Sequence, residues 1–211
     1  MNISYTITVY NELEELKRLL PLLQEAKTDA NDEIIIVHTF REEKEKLTDI
    51  DVKIQEYAST IADNYVRYHF DKKFADMKNF TNSLAKKDYI INFDADEFAS
   101  IETINIWRES INLNNDLYHL PRINTVTDYT LDDVKKYGWD INTNGWINWP
   151  DYQPRIYKNN GKIKWVGNVH EQLTGFENAA ALPANPRYAI IHHKAIDKQR
   201  TQNALYETIK R

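Results

Sequence analysis

Asp94, Asp96 and Glu97 place three carboxylates within four positions, directly after the apolar run Tyr89-Ile90-Ile91-Asn92-Phe93. On extended backbone, side chains two positions apart point the same way. Asp94 and Asp96 are therefore expected to share a hard divalent cation at the carboxyl end of a buried strand. Ala95 between them leaves the backbone approachable. The plainer alternative is an acidic turn that ends a strand in solvent. Four other places carry usable chemistry. Tyr10-Asn11-Glu12 ends the first strand-like segment, and Lys78-Asn79 brings an ammonium that can neutralise phosphate charge. Gly167-Asn168-Val169-His170-Glu171 offers a carboxylate as a general base. His192-His193 offers an imidazole to complete a carboxylate–imidazole cation site. Each also has a bland explanation: a helix start, a solvated helix face, a surface turn, a polar strand end.

The elements that must position these groups follow from periodicity. Ile3–Val9 reads as a first strand, with Asn11 and Glu14 at capping-box spacing before a helical face of Leu13, Leu16, Leu19, Leu20 and Leu23. Pro21 is expected to kink or divide that helix. Glu33–Val37 reads as a second strand, Arg41–Leu47 as a short charged helix, and Val52–Tyr57 as a third strand. Phe74, Met77, Phe80, Thr81 and Leu84 form a helical stripe leading into the acidic segment. Alternating β and α units predict a parallel, doubly wound sheet whose ligands sit beyond the carboxyl ends of the strands. Ser100 caps a helix to about Leu113, and Asp116–Ile123 reads as one strand. Thr125–Pro150 has the character of a functional loop or small subdomain. Arg155–Lys158 and Lys162–Val166 suggest a hairpin about Asn159-Asn160-Gly161; Tyr188–His192 is a last strand and Asp197–Arg211 a polar helix.

Composition bounds the class. The 211 residues suit one domain with a sizeable core, at 42% hydrophobic and 28% charged. A net charge of −5 argues against a chain built to hold nucleic acid. The absence of cysteine removes disulfides and thiolate chemistry. There is no bilayer-length apolar run and the N-terminus enters a strand at once, so a soluble, cytoplasmic protein without signal peptide is expected. Five Trp and thirteen Tyr can stack on sugar faces, with Trp146, Trp149 and Trp165 as candidates, or simply pack a core.

Taken together, six segments carry a resemblance. They are Ile7-Thr8-Val9-Tyr10-Asn11-Glu12, Phe74-Ala75-Asp76-Met77-Lys78-Asn79, Ile91-Asn92-Phe93-Asp94-Ala95-Asp96-Glu97, Asp151-Tyr152-Gln153-Pro154-Arg155-Ile156-Tyr157, Trp165-Val166-Gly167-Asn168-Val169-His170-Glu171 and Ile190-Ile191-His192-His193. Over nearly its whole length the chain resembles the family 2 glycosyltransferases of GT-A fold, in particular small bacterial-type members that decorate glycans. The resemblance implies an α/β fold with a Rossmann-like, mainly parallel sheet flanked by helices and a small antiparallel element in the second half. It implies one GT-A-like domain, residues 1–98 holding a nucleotide-diphosphate sugar, UDP-sugar favoured, and 99–211 facing a glycan or other hydroxyl acceptor. Val9, Tyr10, Glu12, Lys78, Asn79, Asp94, Ala95 and Asp96 are the implied donor contacts. Asp94, Asp96 and His192 are the implied ligands of Mn²⁺ or Mg²⁺, Glu97 a structural carboxylate, and Glu171 the base, with Asp151 next in line. The family commonly carries Asp-Asp or Ser-Thr-Asp where this chain has His38-Thr39-Phe40, and Arg where it has Lys78.

The chemistry agrees with that implication. Breaking the bond from the anomeric carbon to the diphosphate leaves charge that a cation must stabilise, and an acceptor hydroxyl needs a base to take its proton. Base and cation on opposite sides of the anomeric carbon predict inversion. Two rivals remain: a scaffold that binds nucleotide sugar or glycan without turnover, and a haloacid-dehalogenase-like phosphatase. The phosphatase would want its acidic motif on the first strand and a later Asp pair after an apolar strand. Here Asp132-Asp133 lies in a polar stretch.

Overall fold

The computed structural model describes residues 1–27, 31–41, 47–112 and 114–209. The expected helix over 41–47 falls almost wholly outside these residues, as do the ends of the helices expected to reach Leu113 and Arg211. Three β-α units and a fourth strand open the chain. Strand β1 (Ile3–Val9) leads to α1 (Leu13–Ala26), β2 (Glu33–Phe40) to α2 (Asp49–Ser59), β3 (Asn64–His69) to α3 (Phe74–Ser83), and β4 (Tyr89–Asp94) ends at the acidic turn. β4, β1, β2 and β3 lie side by side and parallel in that order. The order reverses between β1 and β4, where Thr8 stands opposite Asp94, and Val9 stands opposite His38 of β2. Ligand crevices form at such a reversal.

The second half extends this sheet and builds another. After β5 (Glu97–Phe98) and α4 (Ile101–Ser110) come β6 (Leu117–Leu120), β7 (Arg122–Thr127), α5 (Leu131–Tyr137) and β8 (Gln153–Lys158). β9 (Lys164–Val166), β10 (Gln172–Thr174), β11 (Ala179–Ala181), β12 (Ile190–Ala195) and α6 (Ile196–Ile209) complete the chain. The main sheet runs β11-β6-β8-β4-β1-β2-β3, in which only β8 is antiparallel to its neighbours. A three-stranded sheet, β5-β12-β7, sits at the carboxyl end of β4, and β9 with β10 forms a ribbon. Helices cover both sides. Ile91 and Phe93 of β4 join α1, α2 and α4 in the larger core, whereas Ile90 joins Ala75 of α3, Tyr157 and Trp165 in a smaller one.

Several expectations are corrected. Residues Val52–Tyr57 are helix, not strand. Thr48 caps α2 in a capping box with Asp51, and Asp51, Ile54 and Ala58 bury one face at helical spacing. Asp51 also reaches the buried His38 imidazole at 3.1 Å, which anchors the helix to β2. The third strand is instead the polar Asn64–His69, tolerable because it lies at the sheet edge. Thr48→Ala should cost about 1 kcal/mol of stability, read as a lower urea midpoint at unchanged slope. Helix α1 starts after Glu12 rather than Asn11, with no side-chain cap, because the Glu12 carboxylate is already bound to the amides of Tyr10 and Asn11. Pro21 does not divide it: Pro21 and Lys17, whose carbonyl loses its amide partner, both lie on the exposed side. Asp116–Ile123 is two strands, broken at Pro121, that belong to different sheets. The 155–158 and 162–166 segments are not a hairpin either, since β8 pairs with β4 and β6 while β9 pairs with β10. The last strand starts at Ile190 because 186–188 form a 3₁₀ turn. Asp133, needed by the phosphatase reading, completes the capping box of α5 with Thr130 and binds Arg200.

Candidate functional site

A cavity of about 910 Å³ opens at the carboxyl ends of β1 and β4, lined by Tyr10, Lys78, Asp94, Asp96, Glu171, His192 and Lys198 among others. That size suits a ligand of nucleotide dimensions. Its residues come from both halves of the chain because β12 and α6 pass over the same sheet end.

The acidic turn does not stay extended. β4 stops at Asp94, and Ala95 and Asp96 form a turn in which the Ala95 amide donates to the Thr8 carbonyl. Asp94 and Asp96 consequently meet different partners, and the expectation that they point the same way is overturned. Asp94 shares the α3 side of the sheet with Ile90 and Asn92. There Arg155 Nη2 donates to Asp94 Oδ2 at 2.6 Å and to Glu97 Oε1 at 2.6 Å, with Lys78 Nζ 3.9 Å from Asp94 Oδ1. Burial alone would raise the Asp94 carboxyl, but Arg155 and then Lys78 hold it well below the usual carboxylate range. Glu97 is buried, bonded to Arg155 and Arg122 and to the Asp94 amide, and so is structural as expected.

Asp96 instead turns toward β12 and α6. Its Oδ2 lies 3.5 Å from His192 Nε2, 3.4 Å from Lys198 Nζ and 3.7 Å from Lys194 Nζ. Burial would raise its pKa; the cationic groups that β12 and α6 bring to it, Lys194 and Lys198 among them, hold it well below the ordinary value. Burial pushes the His192 imidazole down, against the pull of Asp96. Lys198 also reaches Glu15 at 3.3 Å and Glu12 at 3.7 Å, and its pKa is raised by these three carboxylates against the effect of burial. Among the described residues no three His, Asp or Glu side chains gather closely enough to hold a cation by themselves. Of the expected set Asp94, Asp96 and His192, Asp94 is engaged by Arg155, and the structure pairs Asp96 with His192 at 3.5 Å. That pair fits a hard cation in donor type, one carboxylate and one imidazole, with both contested lysines having second partners: Lys198 has Glu12 and Glu15, and Lys194 has Gln202.

The other candidates divide clearly. Val9 and Ala95 line the cavity, and Tyr10 lies under the Arg41 guanidinium at 4.1 Å. Glu12 spends Oε2 on its own turn, leaving Oε1 toward Lys198. Asn79 does not face the cavity; it grips the Trp165 main chain through two hydrogen bonds of 2.8 and 2.9 Å, tying β9 to α3. Trp165 is buried beneath Lys78 at the cavity wall, and Trp146 and Trp149 pack on one another with tilted rings, outside the cavity lining. Glu171 meets the cavity beside His170, its Oε1 2.5 Å from Lys78 Nζ. Asp151 does not stand free as a base, since its Oδ2 accepts from Arg122 at 2.7 and 2.9 Å and from the Asn124 amide. Asp151 and His170 both hold left-handed backbone, at φ 32° and 56°. Such conformations cost about 1–3 kcal/mol and cluster at functional sites.

Sequence reading missed Arg155, Arg122, Asn124, Lys194 and Lys198. Two had visible signals. Arg155 is a lone charge in the strand Pro154-Arg155-Ile156-Tyr157, and three carboxylates in one turn require compensating cations. Lys194 lies two positions after His192 on a strand, hence on the same side.

The crystal structure of S. aureus TarS residues 1–349 in complex with UDP-GlcNAc superposes with a TM-score of 0.59 at 14% identity, covering 92% of this chain and 59% of that one. A second TarS 1–349 structure gives 0.57 at 14%, covering 99% and 64%, and its UDP complex gives 0.58 at 14%, covering 92% and 60%. The chain spans about three fifths of the length of these proteins. No family model and no curated protein sequence matches it. In its parallel β4-β1-β2-β3 core, its antiparallel β8 and its likeness to these structures, the chain has a GT-A-type glycosyltransferase fold.

Proposed function

We propose that this chain is a glycosyltransferase that moves a sugar from a nucleotide-diphosphate donor, UDP-sugar favoured, to a hydroxyl of a glycan or similar acceptor, with Mn²⁺ or Mg²⁺ and with inversion. Residues 1–98 hold the donor and 99–211 form the acceptor side. The observation that carries this reading is the meeting, in one cavity at the β1/β4 reversal, of the Asp96–His192 pair with Glu171. Val9, Tyr10 and Ala95 form the floor on which the nucleoside lies. Asp96 and His192 would hold the cation, which when bound would stabilise the charge of the departing diphosphate. Lys78, Lys194 and Lys198 add fixed positive charge along the same path. Glu171 takes the proton from the acceptor hydroxyl.

Lys78 joins the two halves of this chemistry. Its ammonium stands between Asp94 and Glu171, so a diphosphate arriving beside it competes for that charge and loosens its hold on Glu171. The second reading, a donor-binding scaffold without turnover, draws on the same contact, since a carboxylate held 2.5 Å from a buried lysine is not free to act as base. Sugar transfer from a donor panel to glycan acceptors, alongside donor binding, separates the two.

Asp96→Ala is expected to abolish Mn²⁺-dependent nucleotide binding, a loss beyond the about 10–100-fold typical of an outer-shell partner. Calorimetric titration of UDP with and without Mn²⁺ checks this. Equal affinity in both conditions for both proteins would sink the cation role. Among the described residues no helix is long and apolar enough to cross a membrane.

A further inference from the structure

His192 lies between two strands that present one polar side chain each. On β12 it stands in register with Asn124 of the parallel β7 and with Glu97 of the antiparallel β5. His192 Nδ1 is 2.7 Å from Asn124 Oδ1. Which atom donates depends on the orientation of the Asn124 amide, and that orientation is set from its far side. Asn124 Nδ2 donates to Asp151 Oδ2, and a carboxylate only accepts. Asp151 is itself held by two donors of Arg122, whose Nη1 also binds the buried Glu97. Asn124 therefore turns its carbonyl oxygen to His192, and Nδ1 must carry the hydrogen. In the neutral imidazole Nε2 is then a bare acceptor. It faces Asp96 Oδ2, another acceptor, at 3.5 Å. Charge-assisted hydrogen bonds are shorter, about 2.7–2.9 Å, so at 3.5 Å the two acceptors face one another without a hydrogen bond between them.

We propose that Asn124, oriented by Asp151, is a positioning residue that commits His192 to its Nδ1–H form, so that Nε2 presents a lone pair toward Asp96 for a divalent cation. Asp151, a candidate base by sequence, acts two hydrogen bonds away from the cation. The ligation half of this inference rests on the metal-dependent reading of the site; the tautomer half does not.

Two readouts test it. Imidazole ¹⁵N spectra of the metal-free protein report the tautomer, and electron paramagnetic resonance of free Mn²⁺ in the presence of UDP reports cation affinity. The wild type should show His192 in the Nδ1–H form. Asn124→Leu, close in volume and without an acceptor, should show a mixture of tautomers and bind Mn²⁺ about 10–100-fold more weakly. Asp151→Asn keeps volume and an acceptor for Arg122 but lets the Asn124 amide turn over. It should shift both readouts in the same direction, and it serves if Asn124→Leu does not fold. An Nε2–H tautomer in the wild type, or unchanged tautomer and affinity in the variants, would overturn the inference. A wild type that binds no Mn²⁺ removes the metal reading alone, and the tautomer spectra still decide the role of Asn124.

Discussion

Glu171→Gln is expected to slow sugar transfer by about 10²–10⁴-fold, the usual contribution of a positioned general base, while donor affinity stays unchanged. The amide retains the size of the carboxylate and an oxygen that Lys78 can reach, so the cavity wall is preserved. What disappears is the capacity to accept a proton from the acceptor. Transfer rate and donor dissociation constant, measured on the same preparation, separate this effect from misfolding. If the rate is unchanged, the base lies elsewhere. Asp151 is a poor substitute, because its Oδ2 is engaged by Arg122 and Asn124. Donor binding lost together with transfer would instead mark Glu171 as part of the Lys78 charge balance, not as the base.

Arg155→Met is expected to give the largest loss of stability, about 3–5 kcal/mol, as for a buried ion pair deprived of one partner. Arg155 is 3% exposed and binds both Asp94 and the fully buried Glu97. Methionine fills comparable space but leaves two carboxylates without that guanidinium, only partly served by Lys78 and Arg122. Urea unfolding reads the change directly. Acid behaviour provides a second check. Because the folded pKa of Asp94 lies below its unfolded value, the unfolded chain takes up the proton first as pH falls. The Asp94 contribution is therefore complete above about pH 4 and declines below it. Arg155→Met should flatten that decline, having less Asp94 stabilisation to lose. A variant as stable as the wild type would show that solvent, not Arg155, compensates Asp94 and Glu97.

Much of the donor half was legible in the sequence because its signals are local. The alternation of Ile3–Val9, the leucine face of α1 and the apolar run into Asp94 each state their own structure within a few residues, and the order of units implies where strand ends meet. Local reading failed where a nearby side chain or a distant strand overrode the pattern. Thr48 and Asp51 turn an alternating stretch into helix, and Pro121 hands one strand-like run to two sheets.

The sequence by itself determined the fold class, the acidic turn at the end of β4, and the candidacy of Glu171 and His192. Only the tertiary structure decided how the charges are shared. The turn after Asp94 sends one aspartate to Arg155 and the other to His192, and the strand register places Asn124 beside that histidine. Electrostatic partnership depends on separations of a few ångströms between residues far apart in the chain, 96 positions for Asp96 with His192 and 27 for Asn124 with Asp151. Periodicity reports which way a side chain points along its own element. It carries no information on which charge from another element will be waiting there.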